Sequence, residues 1–194
     1  MQQPADNNRE RLSADDWVDA ALQLVAEEGL GRLAIEPLAL RLGVTKGSFY
    51  WHFRSRNALI DALLERWRQH GERDLLATLG PISDPRERLR QLFLRVAAEV
   101  QSHRIHAALL KALDTPKVRD AVEGAAQQHL ALLAQAYRQI GQNPDAAMNS
   151  ARLAYAAYLG FMQMNLIFGR ARISHEEYDE YVAHLIATLV PDGP

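Results

Sequence analysis

The chain of 194 residues contains no cysteine, so neither a disulfide nor a thiolate metal site is available to it. It also lacks an excess of charge. With 22 Lys/Arg against 24 Asp/Glu, its formal net charge is −2, too little of one sign for a protein that coats polyanions generally. No segment alternates apolar and polar residues with period two, which removes sheet architectures. The N-terminal MQQPADNNRER is polar and has no apolar core, so no signal peptide is expected there. No apolar run reaches the roughly 20 residues that span a bilayer. The longest, LAYAAYLGFMQMNLIFG at 153–169, carries Gln163 and Asn165 and reads as a helix buried on all sides. Absent too are a Gly-rich phosphate loop after a strand, paired zinc-protease histidines and a serine in a nucleophile elbow. These absences point to a cytoplasmic protein with no catalytic centre, no cofactor and no membrane partner.

What is present is helix punctuation. Residues 1–12 are polar and aperiodic and are expected to form a disordered arm. Ser13 with Asp16 makes a capping box ahead of the stripe Trp17, Ala20, Ala21, Leu24 and Val25, which Gly29 ends. Ser55 caps a long fourth helix with Leu59, Ile60, Leu63, Leu64 and Trp67 on one side, running to Leu79. Asp84-Pro85-Arg86-Glu87, Thr115-Pro116 and Asn143-Pro144 each place a cap before a proline at the first helical position, and Asp84 adds a reciprocal Glu87. Ser174 and Glu177 form a second box before the last helix. A short helix over about 104–113 fills the remaining gap. The chain therefore reads as all-α, with about nine helices.

Residues 35–53, IEPLALRLGVTKGSFYWHF, carry the functional signal. Leu38, Ala39 and Leu42 give a short helix one apolar side, Gly43 turns the chain, and Val44 plugs the turn. Thr45 is suited to cap a second short helix with its hydroxyl. Phe49 and Phe53 share one side of that helix and read as core plugs. Lys46, Ser48, Tyr50 and His52 face outward. This is the layout of a helix-turn-helix, whose second helix enters the DNA major groove. From Glu36 to Arg56 the local charge is +3, with Arg41, Lys46, Arg54 and Arg56 against one acid.

The leading helix, GVTKGSFYWHF, and then RSRNALI opening a long helix resemble the DNA-binding region of the tetracycline-repressor (TetR) family, over roughly residues 13–67. The resemblance implies a helix-turn-helix domain at 13–56 and a helical effector-binding and dimerisation domain at 57–194. It also implies DNA-contact roles for Thr45, Lys46, Gly47, Ser48, Tyr50, Trp51, His52 and Arg56. Lys46 would reach a base edge or phosphate, and Gly47 would let the backbone come close. Ser48 and Tyr50 would offer hydroxyls to phosphates, and Arg56 would touch the backbone from the fourth helix. Trp51 has two readings, contact with the sugar-phosphate chain or packing on the first helix. Ala34 stands where the family has a capping Ser or Thr.

His103 and His106, three residues apart, would need a third ligand to hold a metal, and no metal site is expected. An effector pocket is expected between the fourth and eighth helices, lined by Trp67, Phe93, His103, His106, Tyr137, Tyr158, Phe161 and Met162. A site of this kind needs at least about 300 Å³. No acidic residue falls on those faces, so the expected effector is apolar and neutral or weakly anionic. A dimer seam is expected along Tyr155, Leu159, Met162 and Leu166 of one helix and Tyr178, Val182, Leu185 and Leu189 of the next. Together these features describe a homodimeric, ligand-responsive regulator of transcription. It would most readily be a repressor that binds a near-palindromic double-stranded DNA operator. The alternative is a helical small-molecule binder or enzyme that keeps the fold without DNA function.

Overall fold

Ser13 opens the first helix as its spacing with Asp16 requires. The Ser13 N–H donates to Asp16 Oδ2 at 2.6 Å, and Asp16 N–H donates back to Ser13 Oγ at 3.2 Å. In the computed structural model, residues 12–79, 81–98, 100–168 and 174–190 are described. The side chains of 70–79, 96, 100, 101, 165, 166, 168 and 175 are outside that description, as is the expected arm apart from Leu12. Among the described residues there are nine α-helices and no strand. They are α1 (Ala14–Glu28), α2 (Ile35–Arg41), α3 (Lys46–Phe49), α4 (Arg56–Leu79), α5 (Pro85–Ala98), α6 (Val100–Leu110), α7 (Pro116–Gln139), α8 (Pro144–Phe168) and α9 (His175–Leu189). No described helix is long and apolar enough to cross a membrane.

Most of the punctuation works as read. Ser55 Oγ accepts from Ala58 N–H at 3.1 Å, and Asn143 Oδ1 from Ala146 N–H at 2.9 Å. Ser174 and Glu177 form the reciprocal box at α9. Gly43 adopts φ +67°, and the Val44 N–H reaches back to the Ala39 carbonyl at 3.0 Å, a Schellman closure of α2. Thr45 and Thr115 differ, since neither hydroxyl caps its helix. Glu87 turns forward to Gln91 and Arg90. The helix expected over 104–113 runs from Val100 to Leu110, because neither Gly nor Pro separates it from α5.

Two cores result. The first joins Trp17, Leu24, Val25, Leu33, Leu38, Phe49 and Phe53 to Leu59, Ile60, Leu63 and Leu64 of α4. Ile105 and Leu109 of α6 and Val118 and Val122 of α7 close it. It thus takes residues from both sides of position 56, with no gap in packing there. The second joins α5, α7, α8 and α9 through Leu89, Leu133, Tyr137, Phe161, Val182 and Ile186. Helix α6 faces the first core with Ile105 and Leu109, and it turns His103 and His106 toward α8 and α4.

Helix α8 is not buried all round. Leu153 is 61% exposed and Ile167 63%, with Gly160 and Met164 exposed between them. At about 100° per residue these four share one side of the helix.

Candidate nucleic-acid interface

Phe49 fixes the reading head from within. It is fully buried, meets Trp17 edge-on at 5.3 Å and stacks on Phe53 at 5.6 Å. After Phe49 the backbone continues in tighter turns, with Trp51 N–H to the Ser48 carbonyl and His52 N–H to the Phe49 carbonyl. With that side held down, Thr45, Lys46, Gly47, Tyr50 and Trp51 are exposed, and Ser48 and His52 are half-buried. Trp51 is 88% exposed, so it does not pack on α1, and of its two readings the outward one remains. Tyr50 leans its ring edge on Phe49 at 5.3 Å, which orients its hydroxyl end without burying it. A Cβ on Gly47 would meet only Thr45 Oγ1 at 3.6 Å, so internal packing does not require the glycine. An outward close approach is the use left for it.

The basic residues are less available than their count suggests. Lys46 Nζ is paired with Glu36 at the start of α2, which raises the ammonium pKa and lowers that of the carboxyl. Arg41 makes a two-pronged pair with Glu27, at 2.6 and 2.8 Å. Arg56 points inward. Its Nε donates to the Leu33 carbonyl and its Nη2 to the Leu30 carbonyl at 3.0 Å, tying the start of α4 to the α1–α2 connection. The expected contact of Arg56 with the DNA backbone would compete with these two internal bonds. The half-buried guanidinium fork meets the Leu33 carbonyl and shares the Leu30 carbonyl with the Leu33 N–H, which closes the 3₁₀ turn Leu30–Arg32. Arg54 is exposed beside the head, as is Leu40, which is 83% exposed on α2. Sequence reasoning counted Arg54 only as charge and missed Glu36 as the partner of Lys46. An acid in the first turn of the preceding helix was the available signal.

Residues 18–63 match the family described as bacterial regulatory proteins, tetR family. Over 55 residues the chain is 46% identical to the tetracycline repressor protein class A from transposon 1721 of Escherichia coli, covering 28% of this chain and 26% of that protein. Over 99 residues it is 30% identical to the probable HTH-type transcriptional regulator ArpR of Pseudomonas putida, covering 47% and 46%. Residues 18–63, about a quarter of the chain, thus resemble the regulatory proteins of the tetR family. The chain spans between about a quarter and a half of the length of these relatives. A transcriptional regulator from Rhodococcus sp. Rha1 shares the fold, with a TM-score of 0.74, 20% identity, and coverage of 92% of this chain and 96% of that one.

One apolar cavity of about 30 Å³ lies among α5, α8 and α9, bounded by Phe93, Ala97, Ala157, Tyr158, Phe161, Val182, Leu185 and Leu189. It holds about one water and is an order of magnitude below a ligand site. Phe93, Tyr158 and Phe161 line it as nominated, whereas Trp67, His103, His106, Tyr137 and Met162 do not. Tyr137 is a core clamp: it is 1% exposed and its hydroxyl donates to the Leu189 carbonyl at 2.7 Å, while burial raises its pKa to about 12. Met162, Val182 and Leu189 are buried within the subunit, and Leu185 packs half-buried on the second core, rather than lying open on its surface. Tyr178 is half-buried and donates to the Ala97 carbonyl. Tyr155 and Leu159 are half-buried on a different side of α8 from the exposed ridge, and the Leu166 side chain lies outside the described residues. The physical reason is that α9 and α7 already occupy the nominated side.

His103 and His106 are almost wholly buried. His106 stands edge-on to Trp67 at 5.6 Å and near the Tyr158 ring at 6.0 Å. Burial, then the neighbouring His129 and His103, lower the His106 pKa to about 4, so it is neutral near pH 7.

Proposed function

We propose that the chain is a dimeric, ligand-responsive transcriptional regulator of the bacterial cytoplasm, a repressor released from a near-palindromic operator by a small effector. The observation that carries this is the match of residues 18–63 to the TetR family, on a head whose Tyr50 and Trp51 are held outward by a buried Phe49. In this reading Thr45 to His52 enter the major groove, and a two-fold axis spaces two such heads by about one helical turn of DNA. The dimer forms on the exposed α8 ridge of Leu153, Gly160, Met164 and Ile167, an apolar strip that a lone subunit leaves in water. The effector, apolar and neutral or weakly anionic, acts on α4 and α6. Helix α4 is tied to α1 through Arg66 with Asp15 and Asp19, and to α6 through Trp67 on His106. A change at His106 therefore has a short path to the head. It shifts the equilibrium only insofar as the effector prefers the spread form.

The test is fluorescence anisotropy with genomic DNA fragments at several salt concentrations. Affinity is expected to fall steeply with salt. Tyr50→Phe should weaken specific and random DNA alike, and Lys46→Ala should alter sequence preference. Salt-independent or absent DNA binding overturns the reading. Light scattering on Leu153→Arg, expected to yield monomers, tests the seam.

A further inference from the structure

At the contact of α4, α6, α7 and α8, three histidines and two tyrosines are gathered in the interior. The His103 ring lies 5.8 Å from that of Tyr158, Tyr155 lies 6.0 Å from Tyr158, and His129 lies 6.0 Å from Tyr155. His106 Nε2 is buried and has no hydrogen-bond partner among the described residues. An interior polar atom left in this way costs stability unless something meets it. The other nitrogen, Nδ1, sits 3.4 Å from the Tyr158 hydroxyl. A phenol is a good donor and a neutral imidazole a good acceptor, so Tyr158 donates to Nδ1 and Nε2 carries the proton. What Nε2 lacks is an acceptor.

We infer that His106 Nε2–H is the polar anchor of the effector seat and that the seat takes an uncharged aromatic molecule bearing a carbonyl oxygen. This rests on the reading of the chain as a ligand-responsive regulator. The aromatic part follows from the walls, Trp67, Tyr155, Tyr158 and Phe161. The absence of charge follows from the neighbours. Among the described side chains, the ionisable groups acting on His106 are two histidines, His129 and His103, and no carboxylate. No group of three or more His, Asp or Glu among the described residues is disposed to hold a metal ion. A carboxylate could accept the same bond, but its charge would be buried beside an imidazole that stays neutral near pH 7.

Tyr158 stands between His106 and the cavity. Its hydroxyl meets His106, and its ring bounds the 30 Å³ cavity with Phe93 and Phe161. At 3.4 Å its bond to Nδ1 is longer than an ordinary hydrogen bond, so little is lost when the ring turns. Turning it joins the cavity to the orphaned Nε2–H, which gives the ligand an apolar bed and a polar end.

The experiment is calorimetric titration of the full chain at pH 7.5 with three probes of one shape: 2-acetonaphthone, 2-ethylnaphthalene and 2-naphthoate. The ketone is expected to bind about 10-fold tighter than the hydrocarbon, the value of one buried hydrogen bond. His106→Leu should bring that ratio near one while leaving the hydrocarbon affinity within about twofold. If His106→Leu does not fold, His106→Phe serves instead. It keeps a ring in the same place and removes the N–H, and the ratio should fall near one. Equal binding of ketone and hydrocarbon, preference for the naphthoate, no binding, or a ratio unchanged in the variant overturns the inference. DNA anisotropy on the same preparations separates the two readings. DNA binding without ketone discrimination rejects the seat and leaves the regulator, whereas discrimination without DNA binding does the reverse.

Discussion

Trp17 and His106 are both buried aromatic residues with a ring nitrogen that finds no partner among the described residues, and they belong to different parts of the molecule. Trp17 lies in the first core, edge-on to Phe49 and surrounded by aliphatic side chains. Its unmet N–H is a fixed cost, since indole does not ionise, and the surrounding apolar burial outweighs it. His106 lies in a polar aromatic cluster where the cost depends on pH and on whatever enters. In the proposed reading the head holds one shape and the interior behind it responds to a ligand. Such a regulator needs both properties in one chain, because a sensing interior is useful only when the element it moves is itself stiff.

The comparison is broken most severely at Phe49. Phe49→Ala removes the ring that Trp17, Tyr50 and Phe53 all contact. The expected loss is about 3–5 kcal/mol, together with DNA binding. Thermal unfolding checks the first and anisotropy the second. A loss below about 1 kcal/mol would show the head to be as adaptable as the interior.

The interior's own signature is its response to acid. His106 is held at about 4 against an ordinary 6.5, and burial lowers His129 in the same direction. Between these values the unfolded chain binds the proton and the folded chain does not, so stability falls as pH falls. The contribution is complete above about pH 6.5 and is lost as pH approaches about 4, on the order of 3 kcal/mol in all. Unfolding monitored by urea from pH 7 to 5 should show the decline, and His106→Leu should flatten it. A wild-type profile without slope over that range refutes the assignment.

Arg56 separates a structural role from a contact role. Arg56→Ala takes the guanidinium from the Leu33 carbonyl and removes the second donor to the Leu30 carbonyl, which keeps the Leu33 N–H. It should cost about 1–3 kcal/mol of stability by chemical denaturation, and weaken all DNA sequences alike. If stability is unchanged and only the salt slope flattens, the guanidinium acts on phosphate instead.

These residues also mark what the sequence can and cannot say. Helix starts were readable wherever a side-chain cap, a proline or a glycine changes the local backbone, as at Ser13, Ser55, Asn143 and Gly43. Between α5 and α6 there is no such residue, and the boundary was misplaced. The outward set from Thr45 to His52 was legible because the buried side of α3 is marked by two phenylalanines four residues apart. Arg56 was not, because its partners are backbone carbonyls, which every residue has. Which side of α8 stays exposed was not legible for a related reason. An almost wholly apolar helix has no polar side to give its orientation, and only the packing of α7 and α9 shows which side is left over. The cavity was overestimated because large side chains that converge can equally well fill the space between them.

The smallest expected effect decides how stiff the head is electrostatically. Lys46 is paired with Glu36 before any DNA arrives, and both groups are largely exposed. Either the carboxylate aims the ammonium at DNA and stays with it, or it must release the ammonium. A phosphate offers Lys46 a stronger partner, and leaving Glu36 beside the phosphates repels, so release is the expected course. Glu36→Gln then removes a competitor. DNA affinity should rise by about two- to fivefold at low salt, the size of an exposed ion pair, with folding stability changed by less than about 1 kcal/mol. The salt slope should steepen by about one, because the freed Glu36 no longer takes up a cation as the DNA loses one. Anisotropy across a salt series measures both quantities. Weaker binding in Glu36→Gln would mean the pair is kept intact on DNA, with Glu36 serving to position Lys46.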